Sequence, residues 1–216
     1  MGKYILMVIM LVLGYLFGSI NAAVIISKIF YRSDIRTHGS GNAGTTNMLR
    51  TFGKKAAAAT FAVDLLKGVA AVLIAVVTAK IADIDTSFGA VPAAIGAILG
   101  HNWPVYFGFK GGKGVLTSFA VLLVIMPIPA LISLGVFIVV VLISKYVSLG
   151  SILGALVLPF TVFFLGDHFG IESGFTLNFI LAVFVAVLLI ARHHANIGRL
   201  LKGTESKLFS GKKKDK

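Results

Sequence analysis

Residues 56–82 read AAAATFAVDLLKGVAAVLIAVVTAKIA, an apolar run that holds one close acid–base pair, Asp64 and Lys67, in its first half. A membrane-spanning α-helix needs about 20 apolar residues, and this run exceeds that length. Further apolar runs extend over about 4–30, 87–106, 115–127, 129–146, 152–166 and 176–191. The pattern predicts an all-α fold, a polytopic membrane helix bundle.

The composition favours the same class of protein. Of the 216 residues, 57% are hydrophobic and 13% are charged, whereas soluble domains have about 25% charged residues. A soluble enzyme, a disordered chain and a fibrous protein are therefore excluded. The chain contains no cysteine, which also excludes disulfides and a cysteine nucleophile. We expect one transmembrane domain over 1–205 and a basic cytoplasmic tail over 206–216.

The basic residues predict how the bundle is oriented. Seven spanning helices are expected, with five as the alternative, because the segments 115–127 and 152–166 are short for a full crossing. With seven spans, 18 of the 20 Lys and Arg residues fall on one side, and only Lys3 and Lys80 on the other. The positive-inside rule makes the basic side cytoplasmic, with the N-terminus outside and the C-terminus inside. The net charge of +12 therefore requires no nucleic-acid partner.

The first polar cluster lies on the predicted cytoplasmic side, where residues 39–47 read GSGNAGTTN and Arg50 follows. Glycines let backbone N–H groups converge on an anion, and a guanidinium suits a phosphate. A helix that begins near Thr45 also favours an anion at its amino end. The candidate phosphate-binding residues here are Ser40, Gly41, Asn42, Gly44, Thr45, Thr46, Asn47 and Arg50.

A second cluster on that side reads FKGGKG over 109–114, shortly after a histidine and an asparagine. Glycines interleaved with lysines at the amino end of a helix again favour anion binding. Polar groups at the membrane edge need partners, which favours a functional role for the pair upstream. The candidates are His101, Asn102, Lys110, Gly111, Gly112, Lys113 and Gly114.

Two further clusters complete the predicted site. Residues 148–151 read SLGS, and residues 192–199 read RHHANIGR where the last apolar run ends. On one continuous helix, Arg192, Asn196 and Arg199 would share a face. The candidates are Ser148, Gly150, Ser151, Arg192, His193, Asn196, Arg199 and Glu205.

Two patterns inside the apolar runs bear on how the site is held. Asp64 and Lys67 share a helix face at i,i+3 spacing and are expected to pair, with Lys67 a candidate ligand and Asp64 supporting the site from within the bundle. The small-xxx-small patterns at 14–18 and 96–100 predict close contacts between helices.

The chemistry suggested by these clusters is group transfer between phosphate-bearing substrates without a metal or a cofactor. Acidic residues on the basic side are too few for a Mg²⁺ site, and no Zn²⁺ ligand pattern is present. Two other classes remain open: a transporter of phosphate or an organic phosphate anion, and a non-catalytic lipid-binding or assembly protein. A transporter would need polar residues near the midplane and often an internal repeat.

The clusters together resemble a known motif set. In order along the chain they are GSGNAGTTN at 39–47, DLLKG at 64–68, KGGKG at 110–114, SLGS at 148–151 and RHHANIGRL at 192–200. This set is similar to that of the bacterial acyl-phosphate:glycerol-3-phosphate acyltransferases, the PlsY family. The resemblance runs from the first helix to Glu205.

The resemblance implies a reaction and a location. A fatty acyl group would pass from acyl phosphate to the 1-hydroxyl of sn-glycerol 3-phosphate, giving 1-acyl-sn-glycerol 3-phosphate and phosphate. The enzyme would be a multi-pass protein of the bacterial cytoplasmic (inner) membrane, would work among membrane lipid, and would be coupled to an acyl-phosphate-producing enzyme. This is the first acylation step of phospholipid biosynthesis.

On this basis we expect five catalytic residues. Ser40, Arg50 and Lys113 would hold phosphate oxygens, while His193 and Asn196 would orient a substrate. Either His193 accepts the hydroxyl proton as a general base, or a substrate phosphate accepts it and His193 only positions the substrate. A covalent acyl-Ser40 is not expected, because no partner that would activate the serine is visible.

Overall fold

A computed structural model of the chain describes residues 2–165 and 175–208. The predicted tail beyond residue 208 and residues 166–174 lie outside this part. The helices are α1 (Gly2–Gly18), α2 (Ala22–Tyr31), α3 (Thr45–Phe52), α4 (Lys54–Ile81), α5 (Ser87–Asn102), α6 (Val115–Ile125), α7 (Pro127–Ser144), α8 (Val147–Leu165), α9 (Phe175–Arg192) and α10 (His194–Leu201). None of the described residues lies in a strand, so the all-α prediction is confirmed.

The lengths of the helices differ from the prediction at two places. Within the described residues, five stretches are long and apolar enough to cross a membrane: α1 with α2, α4, α7, α8 and α9. The segment expected to be short at 152–166 belongs to the 19-residue α8, which begins at Val147. The run at 87–106 contains α5, which has only 16 residues, whereas α6 is short as predicted, with 11 residues.

The first apolar run is broken between α1 and α2. The Ser19 hydroxyl donates to the carbonyl of Tyr15 at 2.7 Å. The buried Asn21 caps α2, because its Oδ1 accepts from the backbone N–H of Val24 at 3.1 Å. Its Nδ2 donates to the carbonyl of Ala43 at 3.4 Å. The break therefore attaches the first span to the loop that precedes α3.

Glycines bring α1 and α5 into backbone contact. A Cβ at Gly14 or Gly18 would overlap the carbonyls of Ala93 or Ala97, and a Cβ at Gly96 or Gly100 would overlap the backbone of α1. The predicted close contact of the two small-xxx-small patterns is confirmed. The main apolar core lies beside this pair, between α4, α5, α6, α8 and α9.

The bundle has a cavity at each of two ends. At one end, α3, the 103–114 loop, the start of α8 and the end of α9 surround one cavity. At the other end, the last turn of α4, the start of α5, the α6–α7 junction and the first turns of α9 surround a second. The four predicted polar clusters are therefore collected at the same end.

Candidate active site

A cavity of about 830 Å³ joins the four polar clusters. All five residues expected to be catalytic line it: Ser40, Arg50, Lys113, His193 and Asn196. Further predicted residues in the lining are Asn42, Gly44, Thr45, Thr46, Asn47, Asp64, His101, Gly114, Ser148, Gly150, Ser151, Arg199 and Glu205. The structure does not bring seven predicted residues to the lining: Gly41, Lys67, Asn102, Lys110, Gly111, Gly112 and Arg192.

The loop before α3 is shaped by the side chain of Asn47. The Asn47 Oδ1 accepts from the backbone N–H of Ser40 at 3.1 Å. Its Nδ2 donates to the carbonyls of His38 at 2.9 Å and Ile35 at 3.3 Å. The sequence predicted that Asn47 binds substrate, but its side-chain amide is hydrogen-bonded to the backbone of the loop. This bonding leaves Ser40 exposed at the cavity.

The α3 helix adds a hydroxyl and a guanidinium to the cavity lining. The buried Thr45 hydroxyl, which lines the cavity, has no hydrogen-bond partner in the described part of the chain. Arg50, one helical turn further, also lines the cavity and donates through Nη2 to the carbonyl of Ser206 at 3.1 Å. A phosphate oxygen at this end of α3 would therefore meet a hydroxyl, a guanidinium and the helix dipole.

Glu205 connects the clusters at the opposite wall. Its carboxylate accepts from the Ser148 hydroxyl at 2.8 Å, from the Asn196 Nδ2 at 2.7 Å and from the Arg199 Nε at 2.7 Å. Burial alone would raise the pKa of Glu205, but these hydrogen bonds outweigh it, and the pKa lies below its ordinary value. An ionised Glu205 thus holds α8 and α10 together and orients the Asn196 amide.

Lys113 continues this network into the cavity. Its Nζ donates to the Asn196 Oδ1, which leaves the amide of Asn196 bonded on both sides. Burial lowers the pKa of Lys113 to about 8; Glu205 opposes the shift, while Arg199, Arg192 and Arg50 add to it. The ammonium is therefore mostly protonated at neutral pH and titrates within an accessible range.

His193 lies in a break between α9 and α10. Its Nδ1 lies 2.7 Å from the carbonyl of Leu189. Because a carbonyl only accepts, Nδ1 carries the hydrogen and Nε2 keeps its lone pair. Burial lowers the pKa of His193 to about 4, and the positive charge of Lys113 is the second largest cause of this shift. The site thus holds a neutral imidazole with one acceptor nitrogen.

The break also corrects the expected helix face. Arg192 ends α9, whereas Asn196 and Arg199 belong to α10, so the three do not share a face. The Arg192 guanidinium instead donates to the carbonyl of Gly112 at 2.9 Å and stacks 5.1 Å from the ring centroid of Trp103.

The 103–114 loop differs from an anion-binding nest. The N–H groups of Gly111 and Gly112 donate to the carbonyls of Asn102 and His101 at 3.2 and 3.1 Å, so they are not available to a phosphate. A Cβ at Gly112 would lie 2.8 Å from the carbonyl oxygen of Ala43 and would overlap the His101 imidazole. These glycines allow tight packing, and only Lys113 and Gly114 reach the cavity from this cluster.

Arg36 was missed by the sequence analysis. It pairs with Asp34 through two hydrogen bonds, at 2.9 and 2.7 Å. Its Nη1 also donates to the carbonyls of Phe107 at 2.7 Å and Lys110 at 3.2 Å. The hydrogen bond from Arg36 lowers the pKa of Asp34 to about 2. Arg36 thus ties the first glycine loop to the second, and the Asp34–Arg36 spacing was its only signal in the sequence.

The predicted pair inside α4 is confirmed and includes a third residue. Lys67 Nζ lies 2.7 Å from Asp64 Oδ1 and donates to the carbonyl of Ile20 at 2.7 Å. It also lies 3.0 Å from the Nδ1 of His101. Lys67 is thus occupied by the bundle, and it positions His101. Within the part of the chain that the structure describes, no three His, Cys, Asp or Glu side chains are grouped as metal ligands.

This cavity has two chemically different parts. Cations, amides and hydroxyls surround its polar end, and Leu116, Phe119, Leu134, Phe137 and Leu158 are among the side chains along the rest of it. In a multi-pass helical membrane bundle, such a cavity suits a substrate that has both a phosphate and an acyl chain.

Known proteins place the chain in a family. The family model for glycerol-3-phosphate acyltransferase matches residues 8–203. A glycerol-3-phosphate acyltransferase of Clostridioides difficile (strain 630) is 46% identical, over 96% of this chain and 97% of the relative. One of Thermoanaerobacter pseudethanolicus is also 46% identical, over 91% and 93%. The chain belongs to the glycerol-3-phosphate acyltransferase family.

Solved structures agree. The crystal structure of PlsY, an integral membrane glycerol 3-phosphate acyltransferase, in its glycerol 3-phosphate form superposes with a TM-score of 0.80. It is 36% identical, with 96% of each chain covered. Its lysophosphatidic acid form gives a TM-score of 0.77 at the same identity, over 93% and 94% of the two chains. The resemblance to the PlsY family is thereby confirmed.

Proposed function

We propose that this acyltransferase transfers a fatty acyl group from acyl phosphate to the 1-hydroxyl of sn-glycerol 3-phosphate. The products are 1-acyl-sn-glycerol 3-phosphate and inorganic phosphate. Homologous PlsY structures with glycerol 3-phosphate and with lysophosphatidic acid support the acceptor and the product. The donor rests on the motif resemblance and on the chemistry of the site.

The observation that carries the proposal is the continuity of the cavity. One space of about 830 Å³ connects Ser40, Arg50 and Lys113 with an apolar arm between the helices. An acyl phosphate has this polarity, with a dianionic head and an apolar chain. Sites that bind small molecules typically have about this volume and combine apolar walls with a few polar groups.

The reaction requires little of the protein beyond positioning and charge stabilisation. The 1-hydroxyl oxygen attacks the acyl carbon, the bond from that carbon to the phosphate oxygen breaks, and the phosphate leaves with the electron pair. The hydroxyl proton ends on this phosphate, so no proton is gained or lost overall. Arg50 and Lys113 stabilise the charge that grows on the leaving phosphate, and Ser40 donates a hydrogen bond to it.

His193 acts on the attacking hydroxyl. Its unprotonated Nε2 accepts a hydrogen bond from the 1-hydroxyl and aims the oxygen lone pair at the acyl carbon. With a pKa near 4, the imidazole is a weak base at neutral pH, and general-base catalysis works best when the pKa lies near the operating pH. Of the two roles that the sequence left open, the site favours orientation, with the phosphate as final proton acceptor.

The site is proposed to face the cytoplasm of a bacterial cell, in the cytoplasmic (inner) membrane. Seven crossings, an outer N-terminus and a cytoplasmic C-terminus put the polar end of the cavity on the basic side. Residues 1–205 then form the catalytic domain, and residues 206–216 form a basic tail. Acyl phosphate is reactive, so an acyl-phosphate-producing enzyme is expected to work alongside.

The topology has a direct test because the chain contains no cysteine. Single cysteines at Lys3, Lys110 and Lys202 are labelled with a membrane-impermeant maleimide in intact cells and in inverted vesicles. Labelling of Lys3→Cys only in cells, and of the other two only in inverted vesicles, supports the proposal. Labelling of Lys110→Cys from outside would mean that α5 and α6 do not cross.

The reaction is tested with purified protein, labelled glycerol 3-phosphate and EDTA throughout. Palmitoyl phosphate, palmitoyl-CoA and a palmitoyl thioester of acyl carrier protein are offered separately. Lysophosphatidate formed only from palmitoyl phosphate supports the donor and a reaction without a divalent metal. Product formed only from a thioester would overturn the donor, and no product from any folded sample would overturn the reaction.

A further inference from the structure

The apolar arm of the cavity is surrounded by α6, α7, α8 and α9. Each of these helices contacts two of the others: α6 packs on α7 and α9, and α8 packs on the same two. Leu116, Leu134 and Leu189 line the sides of the arm. Near the polar end, Phe61 of α4 also lines the cavity and is 45% exposed. The arm is therefore open near the polar end and enclosed further down.

The arm ends at a floor to which each of the four helices contributes one residue. The floor residues are Leu122, Ala130, Leu158 and Val185, which all line the cavity and are at most 4% exposed. One helical turn deeper, Met126, Val162 and Leu181 are at most 1% exposed and are not part of the lining. Val162 and Leu181 therefore pack below the floor, and Met126 separates the arm from the second cavity, which Met126 also lines.

The depth of the arm corresponds to a medium-length acyl chain. On α8, Ser148 at the polar end and Leu158 at the floor are ten residues apart, which is about 15 Å along a helix. On α9, His193 and Val185 are about 12 Å apart by the same rise. An extended chain advances about 1.2 Å per bond, so roughly 10–13 bonds reach the floor. A longer chain has to bend at the floor or leave through the open side.

We propose that the floor of Leu122, Ala130, Leu158 and Val185 limits the length of the acyl chain that the enzyme accepts. The proposal rests on the proposed function, since it assigns the acyl chain of the donor to this arm. Ala130 is the smallest of the four residues, so it leaves the most room, and enlarging it shortens the arm. Leu158 contributes more volume, and truncating it lengthens the arm.

The test measures competition between donors of two lengths. Purified protein in lipid vesicles receives equal amounts of decanoyl phosphate and palmitoyl phosphate with saturating glycerol 3-phosphate. Mass spectrometry gives the ratio of the palmitoyl to the decanoyl product. Both donors compete for the same enzyme molecules in the same membrane, so the ratio does not depend on how much of a variant is folded.

Ala130→Leu is expected to lower this ratio about tenfold or more, because a mismatch of a few methylenes in an apolar pocket discriminates by at least that factor. Leu158→Ala is expected to raise the ratio. The matched control is Leu131→Phe, which adds bulk at the next residue of α7, outside the lining and 48% exposed. That variant should leave the ratio unchanged.

Two outcomes would count against different claims. If both Ala130→Leu and Leu158→Ala form product with the unaltered ratio, the floor does not limit chain length. If Ala130→Leu is inactive, the product ratio is measured for Ala130→Val and Leu158→Ala instead. An unaltered ratio in both of these variants would also show that the floor does not limit chain length. Failure of the unaltered protein to form either product would overturn the proposed function instead.

Discussion

The pH dependence of the reaction should report the titration of Lys113. Its burial beside Asn196 lowers the pKa to about 8, whereas an ordinary lysine titrates at about 10.4. Between pH 7 and pH 9 the protonated fraction then falls from about 0.9 to about 0.1. In the proposed reaction the protonated ammonium stabilises the leaving phosphate, so kcat/KM should fall about tenfold over this range, with an apparent pKa near 8.

The assay follows initial rates of product formation with limiting glycerol 3-phosphate. Phosphate monoesters titrate near pH 6, so the acceptor does not change its charge in this range. Lys113→Arg keeps its charge at every pH used and should give a lower rate with a flat profile from pH 7 to 9. The control is Lys110→Arg, which alters an exposed cation outside the lining and should keep the unaltered profile. An alkaline decline that persists in Lys113→Arg would refute this assignment.

Three further substitutions test other parts of the site. His193→Ala should lower kcat by about a hundredfold at saturating substrate because the hydroxyl loses its orientation, and near-normal turnover would refute both roles discussed for this residue. Arg36→Ala should raise the KM for glycerol 3-phosphate, because the first glycine loop loses its hydrogen bonds to the second. Thermal melting should show that this variant is still folded. The control is Lys55→Ala, at an exposed residue. Gly112→Ala should abolish most activity, since its Cβ has no room, whereas Gly198→Ala, with nothing within 4 Å, should remain active; similar activities would show that the loop is not tightly packed.

The helices were predictable because each apolar run is long, but their ends were not. Within the first run, Ser19 and Asn21 are two polar residues in an apolar background, and only their hydrogen bonds show that the helix breaks there. The polar cluster at 148–151 was placed before the apolar run at 152–166. It belongs instead to the first turns of α8, where Gly150 packs closely against Phe137 of α7.

The residues of the site were predictable by type, but not their individual bonds. Glycine, amide and cation clusters correctly indicated which loops meet at the cavity. Whether Asn47 or Gly112 offers its polar groups to a ligand depends on which carbonyls lie beside it, and composition does not specify this. Arg36 was missed for the same reason, since it donates to a carbonyl 71 residues away along the chain.

The two-part cavity has a consequence for how rates respond to their surroundings. In the proposed reaction, the acyl donor reaches the cavity from the membrane, while glycerol 3-phosphate arrives from water. The rate should therefore depend on the number of donor molecules per unit of membrane area. For the acceptor, it should depend on the molar concentration in water. Adding inert lipid at constant total donor should slow the enzyme, and supply of the acyl chain would be governed by lateral diffusion in two dimensions.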